Sequence, residues 1–142
     1  MNAQATTTLI PPRAAAIVAA VGFSVIAAFQ LALALGAPLG RAAWGGGHVR
    51  LPMGLRIASA VAVGIWILAV MIVLGRAGYT SPLPPGFVRW GMWILVGVLA
   101  LGALMNFASP SSWERFIWGP VGVVLTVMSF LVARSGASAT GG

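Results

Sequence analysis

Four long apolar runs alternate along the chain with shorter segments that hold most of its charge and its prolines. Residues 14–35 include only Ser24 and Gln30 as clearly polar members. At about 1.5 Å of rise per residue, a helix of that length crosses a hydrocarbon core of about 30 Å. Residues 57–75, 88–105 and 115–133 read the same way, and no Asp, Glu, Lys or His falls inside any of the four. The pattern predicts an all-α fold: four transmembrane helices in an antiparallel bundle, forming a single domain over residues 14–134. Residues 1–13 and 135–142 are expected to be disordered tails. Ala32-Leu33-Ala34 has the form of a signal-peptidase site. The run before it is longer than the roughly 7–15 apolar residues of a signal peptide, so it is expected to remain as a span.

Local signals refine these elements. Pro52 suits the first turn of the second helix, where a missing N–H costs nothing. Ser111 followed by Glu114 fits a reciprocal capping box at the start of the fourth helix, and Gly119-Pro120 should bend that helix about one turn in. Trp90 and Trp93 stand where interface anchors belong, while mid-span Trp66 reads as a packing or lipid-facing residue. Gly97, Ala100, Gly102 and Ala103 would let another helix approach the third closely. Pro82-Leu83-Pro84-Pro85 reads as a rigid link. The pentamer LALGA occurs at residues 33–37 and 99–103, and the second and fourth spans share an outline of Pro, then Arg, then Arg-x-Gly. This raises the possibility of two repeated helical hairpins.

Composition narrows the class. Of 142 residues, 60% are hydrophobic and 6% charged, and the mean hydropathy is +1.02. A soluble domain of this size carries about a quarter charged residues, so too little polar surface exists here to face water on all sides. The net charge of +7 comes from eight arginines against Glu114. They stand singly at span ends, which suits snorkelling to lipid phosphates and not nucleic-acid binding. One His and one Glu are too few for a usual metal site or a carboxylate pair, and the absence of Cys excludes thiol chemistry. Ser111 or Ser112, His48 and Glu114 could be combined into a triad by count alone, but no nucleophile motif accompanies them. No catalytic residue, metal or cofactor is assigned, and a non-enzymatic role is expected.

Threading four spans gathers chemistry on one face. Residues 36–56 and 107–115 share a side, bringing together Arg41, Trp44, His48, Arg50, Arg56, Asn106, Trp113, Glu114 and Arg115. Ser109, Ser111, Ser112 and Trp118 join them, with Gln30 and Ser59 just beneath. This face is the candidate site for an anion, a lipid headgroup or a membrane-protein partner, with Arg41, Arg50 and Arg56 as donors. Its bland counterpart is a set of interface anchors, with His48 solvated in a mobile loop. Glu114, the only carboxylate, is expected to contact Arg41 or Arg56. The opposite side holds Arg13, Arg76, Arg89 and Arg134, so the arginines divide four against four. The free N-terminal amine tips the orientation towards both tails in the cytoplasm.

The segments GAPLGRAAWGG, LPMGLRIAS and NFASPSSWERFIWGP resemble those of small bacterial four-helix membrane proteins, over about residues 29–134. The resemblance implies the fold and a bacterial inner-membrane location, and it brings no activity, substrate or cofactor. The expected role is a partner- or lipid-binding membrane protein, alone or as a homo-oligomer. A small oligomeric transport or permeation subunit is the alternative.

Overall fold

The computed structural model describes residues 9–136. The expected disorder of residues 1–8 and 137–142 lies outside the described residues. Helices α1 (Pro12–Ala34), α2 (Met53–Arg76), α3 (Pro85–Ala108) and α4 (Gly119–Ser135) form an all-α antiparallel bundle. A π-helical turn, Glu114–Trp118, leads into α4. Helices α1, α2 and α3 and the continuous stretch Glu114–Ser135, made of the π-turn and α4, are each long and apolar enough to cross a membrane. Their outward faces, carrying residues such as Val21, Ile65, Ile94 and Val124, are apolar and exposed, as a bilayer requires of a multi-pass protein.

Helix ends differ from the expected spans by a few residues, because the apolar runs do not include their caps. Pro12 and Pro85 each occupy a first helical turn, so α1 and α3 begin earlier than residues 14 and 88. Pro52 is the residue before α2, one place outside its predicted position. At the other ends of α1 and α2, Gly36 and Gly78 take φ of 92° and 85°. The Ala37 N–H reaches back to the Ala32 carbonyl and the Tyr79 N–H to that of Leu74, closing both helices with the same left-handed glycine motif.

The helices follow one another around the bundle, each packing on its chain neighbours and α1 on α4. The principal core unites Ala15, Ala16, Ala19 and Phe23 of α1 with Ile72 and Val73 of α2, Met92 and Leu95 of α3, and Val132 and Ala133 of α4. Alanine supplies much of the α1 face because, in lipid, helices gain from close packing and not from removal from water. Of the four small α3 residues singled out above, Ala103 meets α4 at Gly122, where an added Cβ would lie 3.1 Å from that of Ala103. Gly97 and Gly102 face open space instead.

The fourth helix does not simply bend after Gly119-Pro120. Proline cannot donate to the preceding turn, and the ladder widens ahead of it, with the Gly119 N–H bonded to the Glu114 carbonyl. The widened turn is the one that runs from Glu114 to Trp118.

Candidate functional site

The segment between α1 and α2 is a folded cap. Two 3₁₀ turns, Gly40–Ala42 and Trp44–Gly46, return the chain across the bundle end, and the Gly40 N–H donates to the Val49 carbonyl. Ala43 and Leu51 are buried against Leu33, with Phe29 and Leu55 alongside, giving the cap an apolar core of its own. A segment whose glycines suggested freedom is thus held at Ala43 and Leu51 by buried apolar side chains and at Gly40 by a backbone bond, with His48 exposed.

Three hydrogen bonds stitch this cap to the second hairpin, each using its backbone. The Ser111 hydroxyl donates to the Arg41 carbonyl at 2.9 Å, and the Trp118 indole N–H to the Ala42 carbonyl at 2.9 Å. The Gly45 N–H donates to Glu114 Oε1 at 3.1 Å. Trp44 has φ of 53°, a conformation costing about 1–3 kcal/mol for a bulky residue. Its indole N–H is held 3.1 Å from the Oγ of fully buried Ser59 on α2.

Glu114 does not pair with Arg41 or Arg56. Its carboxylate accepts from Gly45 and from the Ser109 hydroxyl, and no ion pair joins it to an arginine among the described residues. Arg56 donates to the Ala34 carbonyl at 2.9 Å and Arg50 to that of Gly36 at 2.9 Å. Both guanidinium groups thus serve the C-terminal end of α1, where unpaired carbonyls and the helix dipole attract cations. The capping box is only half formed. The Glu114 N–H approaches Ser111 Oγ at 3.4 Å, but the Ser111 N–H is taken by Ser109 Oγ at 3.1 Å. Arg115 lies outward over the Phe116 ring. His48 is exposed, and no hydrogen bond joins it to Ser111, Ser112 or Glu114 among the described residues.

Beneath the cap lies a cavity of about 530 Å³ between the helices. Its walls are mostly apolar, with Phe29, Trp44, Trp66 and Trp118 as aromatic surfaces. Gln30, Asn106, Ser109 and Glu114 bring polar atoms into it, and none of the lining residues is an arginine. Phe29 packs on Trp118 with ring centres 5.0 Å apart, and Trp66 stacks on Phe23 at 5.5 Å. Hence Trp66 does pack, as expected, and also lines the cavity. The Gln30 side-chain oxygen is buried and has no hydrogen-bond partner.

The cavity exists because α2 and α3 separate along their length. Near the 77–84 connection they touch: an added Cβ on Gly91 would lie 3.1 Å from Ile72, and one on Gly75 would lie 3.3 Å from Val88. Continuing from Gly91 at helical spacing along α3 leads to Leu95, Val98, Gly102 and Met105. Val98, Gly102 and Met105 line the cavity, Val98 and Met105 are exposed, and α2 contributes only Trp66.

Of the candidate face, the fold brings Trp44, Asn106 and Glu114 to this cavity and leaves Arg41, His48, Arg50, Arg56, Trp113 and Arg115 outside its lining. Sequence reasoning missed Phe29, Val98, Gly102 and the backbone of residues 42–45. Gly102 reads in sequence only as a small residue for helix packing, together with Gly97, Ala100 and Ala103; the helical spacing of Val98, Gly102 and Met105 is the signal that could have marked the cavity wall. No protein-family model, curated protein or solved structure matches the chain.

Proposed function

We propose that this multi-pass membrane protein binds a lipid-like amphiphile without transforming it, in the cavity roofed by residues 36–56 and 107–115. The single observation that carries this reading is the two-part character of the cavity: apolar walls, with Gln30, Asn106, Ser109 and Glu114 among its polar members. Its volume of about 530 Å³ suits a small molecule or one acyl-length chain, since such sites span about 300–1,000 Å³. Val98 and Met105 at the rim give a ligand a route from the bilayer. Further along the bundle the core is apolar, with Met92, Leu95 and Val132 packed around Phe23. Ser129 is the one fully buried hydroxyl on α4, and it has no partner. Permeation would need polar groups along the whole path, so this core favours binding over a conducting subunit. The proposed setting is a bacterial inner membrane with both termini cytoplasmic.

Native mass spectrometry of the full chain from mild detergent tests the proposal. Wild type should retain one amphiphile per chain through delipidation, and Gly102→Leu, which grows a side chain into the cavity, should not. If wild type strips to bare chain as readily as the variant, the proposal is wrong.

A further inference from the structure

Resting on that reading of the cavity, we infer that its preferred ligand carries a protonated amine as headgroup, a positively charged hydrogen-bond donor on an apolar chain. The chain has eight arginines and a single carboxylate, and that carboxylate reaches the cavity. Its protein partners are a neutral amide N–H and a neutral hydroxyl, which orient the group without supplying an opposite charge. Each of its oxygens has one protein donor and can accept another. A carboxylate in largely apolar surroundings is the group most in need of a counter-charge, because low polarity strengthens its attraction to any cation that reaches it.

Three further features select the same chemistry. Gln30 also lines the cavity, and its side-chain oxygen, closed off from solvent, has no donor among the described residues. Trp44, Trp66 and Trp118 present aromatic surfaces in the lining, and aromatic faces attract cations. The arginines of this end do not compete, because Arg50 and Arg56 donate to the Gly36 and Ala34 carbonyls where α1 ends, and Arg115 lies outward over Phe116. Arg41 is likewise outside the lining, so an anionic headgroup would meet Glu114 with no lining guanidinium to offset it. An ammonium supplies donors and one positive charge, which matches a lining whose one charged group is the Glu114 carboxylate.

The test uses three bromine-labelled amphiphiles of one chain length, bearing a primary ammonium, an alcohol or a carboxylate. Bromine quenches tryptophan on contact, and binding to the cavity adds a saturable component to the linear quenching caused by partition into detergent. The background carries Trp90→Phe, Trp93→Phe and Trp113→Phe, removing the outward indoles away from the cavity. The ammonium should bind roughly tenfold or more tightly than the alcohol, as expected for one charge-assisted hydrogen bond, and the carboxylate most weakly. Glu114→Gln, checked for an unchanged thermal melt in detergent, should erase the preference for ammonium over alcohol. Equal binding of ammonium and alcohol by the Glu114 protein overturns the amine assignment while leaving the amphiphile reading intact. A preference that survives Glu114→Gln also overturns it. If no probe gives a saturable component, the cavity reading and the amine assignment fall together.

Discussion

The two ends of the bundle are made from the same few residue types and behave oppositely. At the tail end, Gly75 and Gly91 bring α2 and α3 into contact with Val88 and Ile72, and Ala15, Ala16, Ala19 and Phe23 close the centre. At the cap end, Gly97 and Gly102 face open space, α2 offers only Trp66 to the cavity, and a folded loop covers what the helices leave open. Arginine use is alike at the two ends, guanidinium groups lying over rings, as Arg115 does over Phe116 at the cap end, or donating to carbonyls at helix ends. Arg13, Arg89 and Arg134 lie over the Tyr79, Trp90 and Phe130 rings, and Arg76 donates to the Ala133 carbonyl. Arg50 and Arg56 finish α1 and leave the carboxylate to the cap backbone. The lesson is that a small residue closes a bundle only where a partner helix arrives. The same glycine facing nothing makes room.

The largest effect should come from opening the closed end. Phe23 is fully buried and stacked on Trp66, so Phe23→Ala leaves a void in the core. Roughly 3–5 kcal/mol is typical for soluble cores, and about half of that is expected here, because transfer from lipid contributes little. Steric trapping or reversible unfolding in mixed micelles measures it, and a change below about 1 kcal/mol would mean that the packing at this end does not hold the bundle together.

The comparison sharpens with two matched substitutions on one stripe of α3. Gly91→Leu forces a side chain into Ile72 and should destabilise by about 1–3 kcal/mol. Gly102→Leu meets no atom within 4 Å at its Cβ, and should be neutral or stabilising by up to about 1 kcal/mol through helix propensity. Equal losses at both positions would show that the ends do not differ in packing.

A smaller effect tests the cap. Trp118→Phe keeps the ring against Phe29 but removes the donor to the Ala42 carbonyl, at a cost of about 1 kcal/mol. Amide hydrogen exchange should rise in residues 40–51 and stay unchanged in α2 and α3 near residues 72–92. Uniform exchange across the chain would mean that Trp118 does not secure the cap.

The spans were legible because apolar length in lipid leaves few alternatives to a helix; the closing roles of Gly36 and Gly78 emerged only from their positive φ. The shared side of residues 36–56 and 107–115 followed from counting crossings. Charge was a poor guide to what joins them. Glu114 suggested an arginine, but the partners of the second hairpin are the Arg41 and Ala42 carbonyls and the Gly45 N–H, backbone groups that carry no side-chain signature. The cavity was hidden for a related reason. Gly102 and Ala103 look alike in sequence and both line the cavity, yet Gly102 has open space at its Cβ while Ala103 packs on Gly122, and only the paths of α2 and α4 decide which.

The central claim is that an apolar chain enters between the helices at the cap end, while the packed interior at the tail end excludes one. Photolabelling the full-length protein in nanodiscs with a long-chain alcohol bearing a diazirine near its middle tests this most directly, with adducts located by peptide mass. The account predicts adducts concentrated at Trp66, Val98, Gly102, Met105 and Val121 that disappear in Gly102→Leu. Labelling spread evenly over outward residues such as Val21, Ile65 and Ile94, and unchanged by Gly102→Leu, would contradict it.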